Sequence, residues 1–346
     1  MGKSHYIIPI FVPHEGCPHN CVFCNQDKIT GEEEKVNKIY VENIINEYLE
    51  TIDKENSTVE VSFFGGTFTA INIEKQRELL EVAKRYKDDK KIDYIRLSTR
   101  PDYIDDFILS HLKKYGVNII ELGIQSLDKD VLKHSGRGHS DLDVIKASKI
   151  IKEYGFVLGH QIMLGLPKDT LEKDINTAKR SIEMKPDICR IYPALVIKET
   201  PMEEMFNCGE YKPYSLEYSI MVSKIIYRMY LDNNINVIRI GLQPTDTINE
   251  GKDIVEGPFH PAYRELVEGS MLNENLQNKL KDIKGEVNIT INPKTISKLY
   301  CNKKHYFNEM KKSLGNNIKI NVTQNKDVKI NTLRVSNNDF EFKIII

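Results

Sequence analysis

The run Cys17-Pro18-His19-Asn20-Cys21-Val22-Phe23-Cys24 sets three cysteines in the spacing C-x3-C-x2-C. A loop this short brings three thiolates toward one centre. Thiolate is a soft ligand that selects iron–sulfur clusters or zinc. Three such ligands suit a cluster with one iron left open, whereas zinc needs a fourth donor, which His14 or His19 could supply. Both readings stand on the motif alone. Cys189, Cys208 and Cys301 are isolated and read as small core hydrophobes or surface thiols. Six cysteines with three clustered make a poor disulfide framework for 346 residues, so a reducing, cytoplasmic setting is expected.

Outward from this loop, strand and helix signals alternate. Residues 6–12, 58–64, 92–98, 117–124, 156–164, 187–192 and 236–240 read as strands. Helical spacing fills the intervals, as in Val36, Ile39, Tyr40, Ile44, Ile45, Tyr48, Leu49 and Ile52. Repeated strand–helix units imply parallel strands joined by right-handed crossovers. About seven strands then predict an α/β fold, a partial or complete TIM-like barrel with its site at the carboxyl ends of the strands.

Polar and glycine residues do fall at those ends: Gly65-Gly66, Ser98-Thr99-Arg100, Gly123 to Ser126, Gln161 to Pro167, and Arg190 to Pro193. A glycine pair lets backbone approach a ligand without side-chain obstruction. Arg190 and Tyr192 are the candidates for acting on a substrate. The 40% apolar content supports a sizeable core, and a net charge of −1 excludes a wholly basic nucleic-acid binder. No stretch approaches the roughly 18–20 apolar residues of a membrane span, and residues 1–11 lack a signal-peptide pattern. No membrane partner is expected.

Residues 17–26, Phe64-Gly65-Gly66-Thr67-Phe68, Ser98-Thr99-Arg100-Pro101-Asp102, 121–126, Ser135-Gly136-Arg137-Gly138-His139 and Leu164-Gly165-Leu166-Pro167 together resemble the radical S-adenosylmethionine (SAM) domain of the Elongator catalytic subunit and its short bacterial relatives. The wider group includes oxygen-independent coproporphyrinogen oxidase. The resemblance covers roughly residues 5–265 and implies a radical SAM barrel over residues 1–270. It implies that Cys17, Cys21 and Cys24 hold a 4Fe–4S cluster and that Gly65, Gly66 and Thr67 receive the SAM amino group. Gln125 and Gln161 would then meet the ribose and Arg137 the carboxylate. Phe23 and the backbone around Met163 would meet the adenine. Ser98 borders the same ligand, at a position where relatives often carry Glu. The implied chemistry is reductive cleavage of SAM to a 5′-deoxyadenosyl radical, fed by an electron donor such as flavodoxin or ferredoxin. Two departures separate the chain from the Elongator subunit, whose cysteine spacing is wider and which carries an acetyl-CoA-binding acetyltransferase domain. Its tRNA carboxymethylation is therefore not expected to transfer.

The last segment differs in charge. Residues 286–346 carry eleven Lys or Arg against five Asp or Glu, a net of +6, which leaves −7 on the remainder. Such asymmetry marks a nucleic-acid-facing appendage. A strand at 287–291, helices at 293–300 and 305–314, and strands at 318–322, 328–335 and 340–346 predict a small α+β domain over 285–346. The order resembles a KH module, whose Gly-x-x-Gly loop between two helices clamps a nucleic-acid backbone. Here Cys301 and Lys304 stand where the glycines would be. Lys298, Lys303, Lys304 and Lys311 are the candidate phosphate contacts. The turn Gly257 to Arg264, with His260 and Tyr263, reads as a rigid loop because of its prolines. Three functions follow: a radical SAM enzyme acting on tRNA or rRNA, one acting on a small molecule or tetrapyrrole, and an RNA-binding protein with a structural iron–sulfur or zinc site.

Overall fold

The computed structural model describes residues 4–12, 16–17, 19–25, 36–242, 244 and 251–345. His14, Pro18 and Gln26 lie outside the described residues. The chain divides into two compact units, Met1–Phe259 and His260–Ile346.

In the first unit β1 (Ser4–Val12), β2 (Ser57–Gly65), β3 (Tyr94–Thr99), β4 (Ile119–Gln125), β5 (Val157–Leu164), β6 (Ile188–Pro193) and β8 (Asn236–Ile240) form one sheet. Their order is β1-β2-β3-β4-β5-β6-β8, every neighbouring pair is parallel, and the sheet curls into a half-barrel. The seven strands are those expected, with ends shifted by up to two residues. Buried apolar residues such as Val59, Val61, Ile95, Leu97, Ile120 and Leu122 run along them, as parallel strands covered by crossover helices require. The helices start where side chains can satisfy free backbone N–H groups. Asn37 Oδ1 accepts from Ile39 and Tyr40 N–H ahead of α1 (Lys38–Thr51). Asn72 does the same for α2 (Ile73–Asp88) and Asp105 for α3 (Asp106–Lys114). Ser140 and Asp143 cap each other's backbone reciprocally at the start of the helix Asp141–Glu153. The short helices Lys129–His134 and Pro201–Asn207, and the antiparallel pair β7 (Val196–Ile197) with β9 (Ile254–Glu256), were not expected. Each is too short to show a hydrophobic period.

One charged residue sits on each of β2, β3, β4 and β6. Glu121 on β4 is 1% exposed and meets two arginines: Arg96 on β3, and Arg190 on β6 through Nε–H to Oε2 (2.6 Å) and Nη2–H to Oε1 (3.1 Å). Arg96 also donates to Glu60 on β2 (2.9 Å), and Gln161 on β5 donates to Glu121 (2.8 Å). Burial by itself would raise the Glu121 pKa, but Arg190 and Arg96 outweigh it and hold the carboxyl below its usual value. To reach β6, the Glu121 side chain must cross β5 where its register partner is Gly159. A Cβ there would sit 2.7 Å from Glu121 Cγ and 3.1 Å from Ile188 Cγ1. His160, next along β5, is fully buried between Ser148 Oγ (3.0 Å) and Ser181 Oγ (2.8 Å), and burial pushes its pKa down to about 3. Its role is a polar tie between strand and helices.

The second unit is an α+β domain. Its sheet runs β11 (Ile318–Gln324), β10 (Gly285–Ile291), β12 (Thr332–Ser336), β13 (Glu341–Ile345), with β10 and β11 parallel and the other pairs antiparallel. It starts before the expected residue 285 because the helix Tyr263–Leu280 belongs to its core. Leu272, Leu276 and Leu280 pack with Val287, Ile289, Leu299, Phe307 and Leu333. Tyr263, expected in a rigid loop, is the buried first residue of that helix. Between the helices Ile296–Tyr300 and His305–Leu314, Asn302, Lys303 and Lys304 all take left-handed φ values, of 49°, 53° and 67°. Three consecutive non-glycine residues there replace the flexible glycines of a KH loop with a strained turn.

Gly159→Ala is expected to destabilise the protein by about 1–3 kcal/mol, the cost of overpacking, because Glu121 is fixed by Arg96 and Arg190 and cannot move aside. Urea unfolding of the full chain checks this; unchanged stability would mean that the crossing is looser than described.

Candidate functional site

The cysteine loop is held at the carboxyl ends of the strands by close backbone contacts. Gly16, at φ +73°, lies so near the turn after β2 that a Cβ would come within 2.4 Å of the Thr67 carbonyl oxygen. Val22 N–H donates to Ser135 O (3.1 Å), Met202 N–H to Val22 O (2.9 Å) and Cys24 N–H to Cys21 O (3.1 Å). Cys17 Sγ lies 3.5 Å from Thr67 Oγ1. Gly138, at φ +75°, leaves room for the His19 ring, which a Cβ would meet at 2.3 Å.

These contacts border a cavity of about 140 Å³ that opens to solvent. Cys17, Cys21, Cys24, Phe23, Gly65, Gly66, Thr67, Ser98, Gln125, Arg137 and Gln161 all line it. Thus eleven of the candidate cofactor and metal residues, drawn from separate segments of sequence, meet at one cavity. Met163 is the exception: it packs with Phe23 against Val131, Leu166 and Ala194. Gln125 reaches the cavity through a register break between Gly123 and Gln125 and a left-handed φ of 59°. Gly65, at φ +107°, is required by the turn itself, since a Cβ would meet Val12 O at 2.7 Å. Gln161 Nε2–H donates to Ser98 Oγ (3.1 Å) as well as to Glu121.

Arg190 and Tyr192 are not among the lining residues. Arg190 is buried, its guanidinium is engaged by Glu121 and lies 5.4 Å from the Phe64 ring centre, and its Nη1 is 3.5 Å from the Tyr192 hydroxyl. Other lining residues are Asn20, which the sequence did not single out, Thr99, Arg100 and Gly123, which it placed at strand ends without a cofactor role, and His19, read there only as a zinc donor. Position alone could have found them, since each lies within the cysteine run or at a strand end.

Charge distinguishes the arginines here. Arg96 and Arg190 pair with Glu60 and Glu121, and Arg100 forms a two-pronged pair with Asp102 (3.0 and 2.8 Å). Arg137 is 6% exposed, yet among the described residues no carboxylate pairs with it. Its Nη1–H donates to Cys21 Sγ (3.1 Å) and its Nη2–H to Gly123 O (2.5 Å), while its Nε is buried without a partner. His139 nearby stays neutral: burial first, then the Arg137 and Arg100 charges, push its pKa down to about 3. A buried guanidinium without a counter-ion is costly, so this cavity suits an anionic occupant. Among the described residues no three Cys, His, Asp or Glu side chains lie close enough together to hold one metal ion. Three thiols lining one cavity beside an arginine that no described carboxylate pairs fit an anionic cluster together with a carboxylate-bearing ligand.

In the second unit the four candidate lysines differ. Lys298 pairs with Glu268 (2.7 Å), Lys304 Nζ sits over the Tyr300 ring (4.6 Å), and Lys311 Nζ is 6.0 Å from the Phe307 ring centre. Lys303 is exposed at the strained turn. Lys311 also lines a surface pocket with Lys312, Lys319 and Asn316. Among the described residues no helix is long and apolar enough to cross a membrane.

Residues 11–180 match the family described as the Radical SAM superfamily, and residues 186–273 the one described as the Radical_SAM C-terminal domain. The chain is similar to a tRNA uridine(34) acetyltransferase of Methanocaldococcus jannaschii, 29% identical over 255 residues, covering 62% of this chain and 47% of that protein. It is also similar to Elongator complex protein 3 of Saccharomyces cerevisiae, 35% identical over 136 residues, covering 38% of this chain and 24% of that protein. Among solved structures it resembles the Methanocaldococcus infernus Elp3 with an N-terminal deletion, at 25% identity and a TM-score of 0.65, over 80% of this chain and 64% of that one. The chain therefore spans about half the length, or less, of these curated relatives.

Proposed function

Because the chain belongs to the radical SAM superfamily, we propose that this enzyme holds a 4Fe–4S cluster on Cys17, Cys21 and Cys24 beside SAM, and that it modifies RNA, with tRNA the first candidate. The observation that carries the reading is the convergence at one cavity of three cysteines with Gly65, Gly66, Thr67, Gln125, Gln161 and a buried Arg137 that no described carboxylate pairs. When bound, the cluster supplies the single electron that cleaves SAM reductively, and an external donor of the flavodoxin or ferredoxin kind replenishes it. The chain's own residues bind and orient. Arg137 takes the SAM carboxylate, and the open backbone at Gly66 and Thr67 takes the amino group. Gln125 and Gln161 take the ribose, with Gln161 steadied by Ser98 and Glu121. Phe23 borders the adenine, with Met163 packing beside it against Val131, Leu166 and Ala194. Arg190 and Tyr192 face the half-barrel interior as substrate-side groups, with Glu121 fixing Arg190. The basic second unit presents RNA through Lys303 and Lys304, with Lys298 and Lys311 flanking them. Similarity to tRNA-modifying relatives and the +6 charge of residues 286–346 support RNA over a tetrapyrrole as substrate. The cytoplasm, where tRNA and reduced electron donors meet, is the compartment that fits.

The direct test compares RNA from cells with and without the protein by mass spectrometry of its nucleosides. A nucleoside lost with the protein and restored by it is expected; an unchanged RNA profile would turn attention to a small-molecule substrate.

Arg137→Ala is expected to weaken SAM binding by about 1.5–3 kcal/mol, the range for hydrogen bonds to charged groups. Calorimetry on the cluster-loaded protein reads this, and unchanged affinity would remove Arg137 from the SAM site. Replacing Lys303 and Lys304 together with Glu is expected to weaken RNA binding and to flatten its salt dependence by about 0.7 in slope per lost single-strand phosphate contact. SAM cleavage without RNA is expected to stay unchanged. Equally tight binding with the same slope would move the RNA site off that turn.

A further inference from the structure

Arg137 has a second assignment. Its guanidinium is not free to swing: Nη2–H is held by the Gly123 carbonyl on β4, which aims Nη1–H at the Cys21 sulfur. Gly123 itself leaves room for this, since a Cβ there would meet Gln125 Nε2 at 3.0 Å and Arg137 Nη2 at 3.4 Å. The backbone link Val22 N–H to Ser135 O keeps the segment carrying Arg137 beside the segment carrying Cys21. Of the four buried arginines around the barrel mouth, Arg137 alone has no carboxylate partner among the described residues. The acceptor that its Nη1–H meets is the Cys21 sulfur, at 3.1 Å. We propose that Arg137 is a resident donor to the Cys21 sulfur of the bound cluster and raises the cluster's reduction potential, in addition to receiving SAM. The proposal rests on the cluster assignment made above.

The physical reason is charge. One-electron reduction adds a negative charge to the cluster, and a fixed N–H and positive charge on one of its sulfurs favour the reduced form. The assignment differs from a SAM contact in that it acts with no SAM present.

The test is a redox titration with dithionite, followed by electron paramagnetic resonance, on SAM-free, anaerobically reconstituted full-length protein. Iron and sulfide are counted first. An unaltered chain that assembles no 4Fe–4S cluster fails the proposed function, not this inference. With the cluster present, Arg137→Met is expected to shift the midpoint to a more negative potential. Arg137→Lys, which keeps the charge but cannot hold both Gly123 O and the sulfur, is expected to fall between. If the methionine variant loses the cluster, the lysine variant decides: a more negative midpoint supports the role. A midpoint equal to that of the unaltered protein, in whichever variants carry the cluster, overturns it.

Discussion

One buried carboxylate organises the barrel. Glu121 sits on the central strand β4 with almost no solvent contact, and it is ionised only because Arg96 and Arg190 reach it from either side. A charge in that position is destabilising if unpaired and specifies geometry if paired. Through Arg96 the pairing extends to Glu60 on β2, and through Arg190 to β6, so β2, β3, β4 and β6 are tied by side chains as well as by backbone ladders. The strand between, β5, contributes Gly159 as the gap and Gln161 as a further donor. Gln161 is also a wall of the cavity. The network that links these strands thus also holds one side of the cavity.

This explains why much of the molecule was readable before its structure and some was not. The strands announce themselves as short apolar runs, and Asn37, Asn72, Asp105 and Ser140 mark helix starts. The site was legible because parallel strands deliver their ends to one rim: Gly65, Ser98, Gln125 and Gln161 converge there although 96 residues separate the first from the last. What position cannot reveal is which side chains meet across a curled sheet. Arg190 occupies a strand end like the others, yet Glu121 holds its guanidinium. Met163 stands two residues beyond Gln161 on the same face of β5, yet its side chain packs with Phe23 against Val131, Leu166 and Ala194 and does not line the cavity. The helix Tyr263–Leu280 precedes the basic segment and its charges are of both signs, so charge does not assign it to either unit. Its leucines simply complete the core beneath β10 and β12.

The two units carry separable parts of the proposed function. The first holds the cavity and the family match over residues 11–180; the second carries the positive charge and a turn whose three left-handed residues lift Lys303 into solvent. The curated relatives are longer, so their activities bear on this chain through the shared segment alone. Within that segment, the chemistry of the donors is specific. Three thiols, a glycine-lined turn and an arginine with no carboxylate partner among the described residues form a set that a plain structural zinc site would not need.

The account stands on a cluster bound by Cys17, Cys21 and Cys24, and chemical analysis of anaerobically reconstituted protein addresses it most directly. About four irons and four sulfides per chain, with a brown chromophore that disappears in Cys21→Ala, is the predicted result. Stoichiometric zinc and a colourless protein would contradict it.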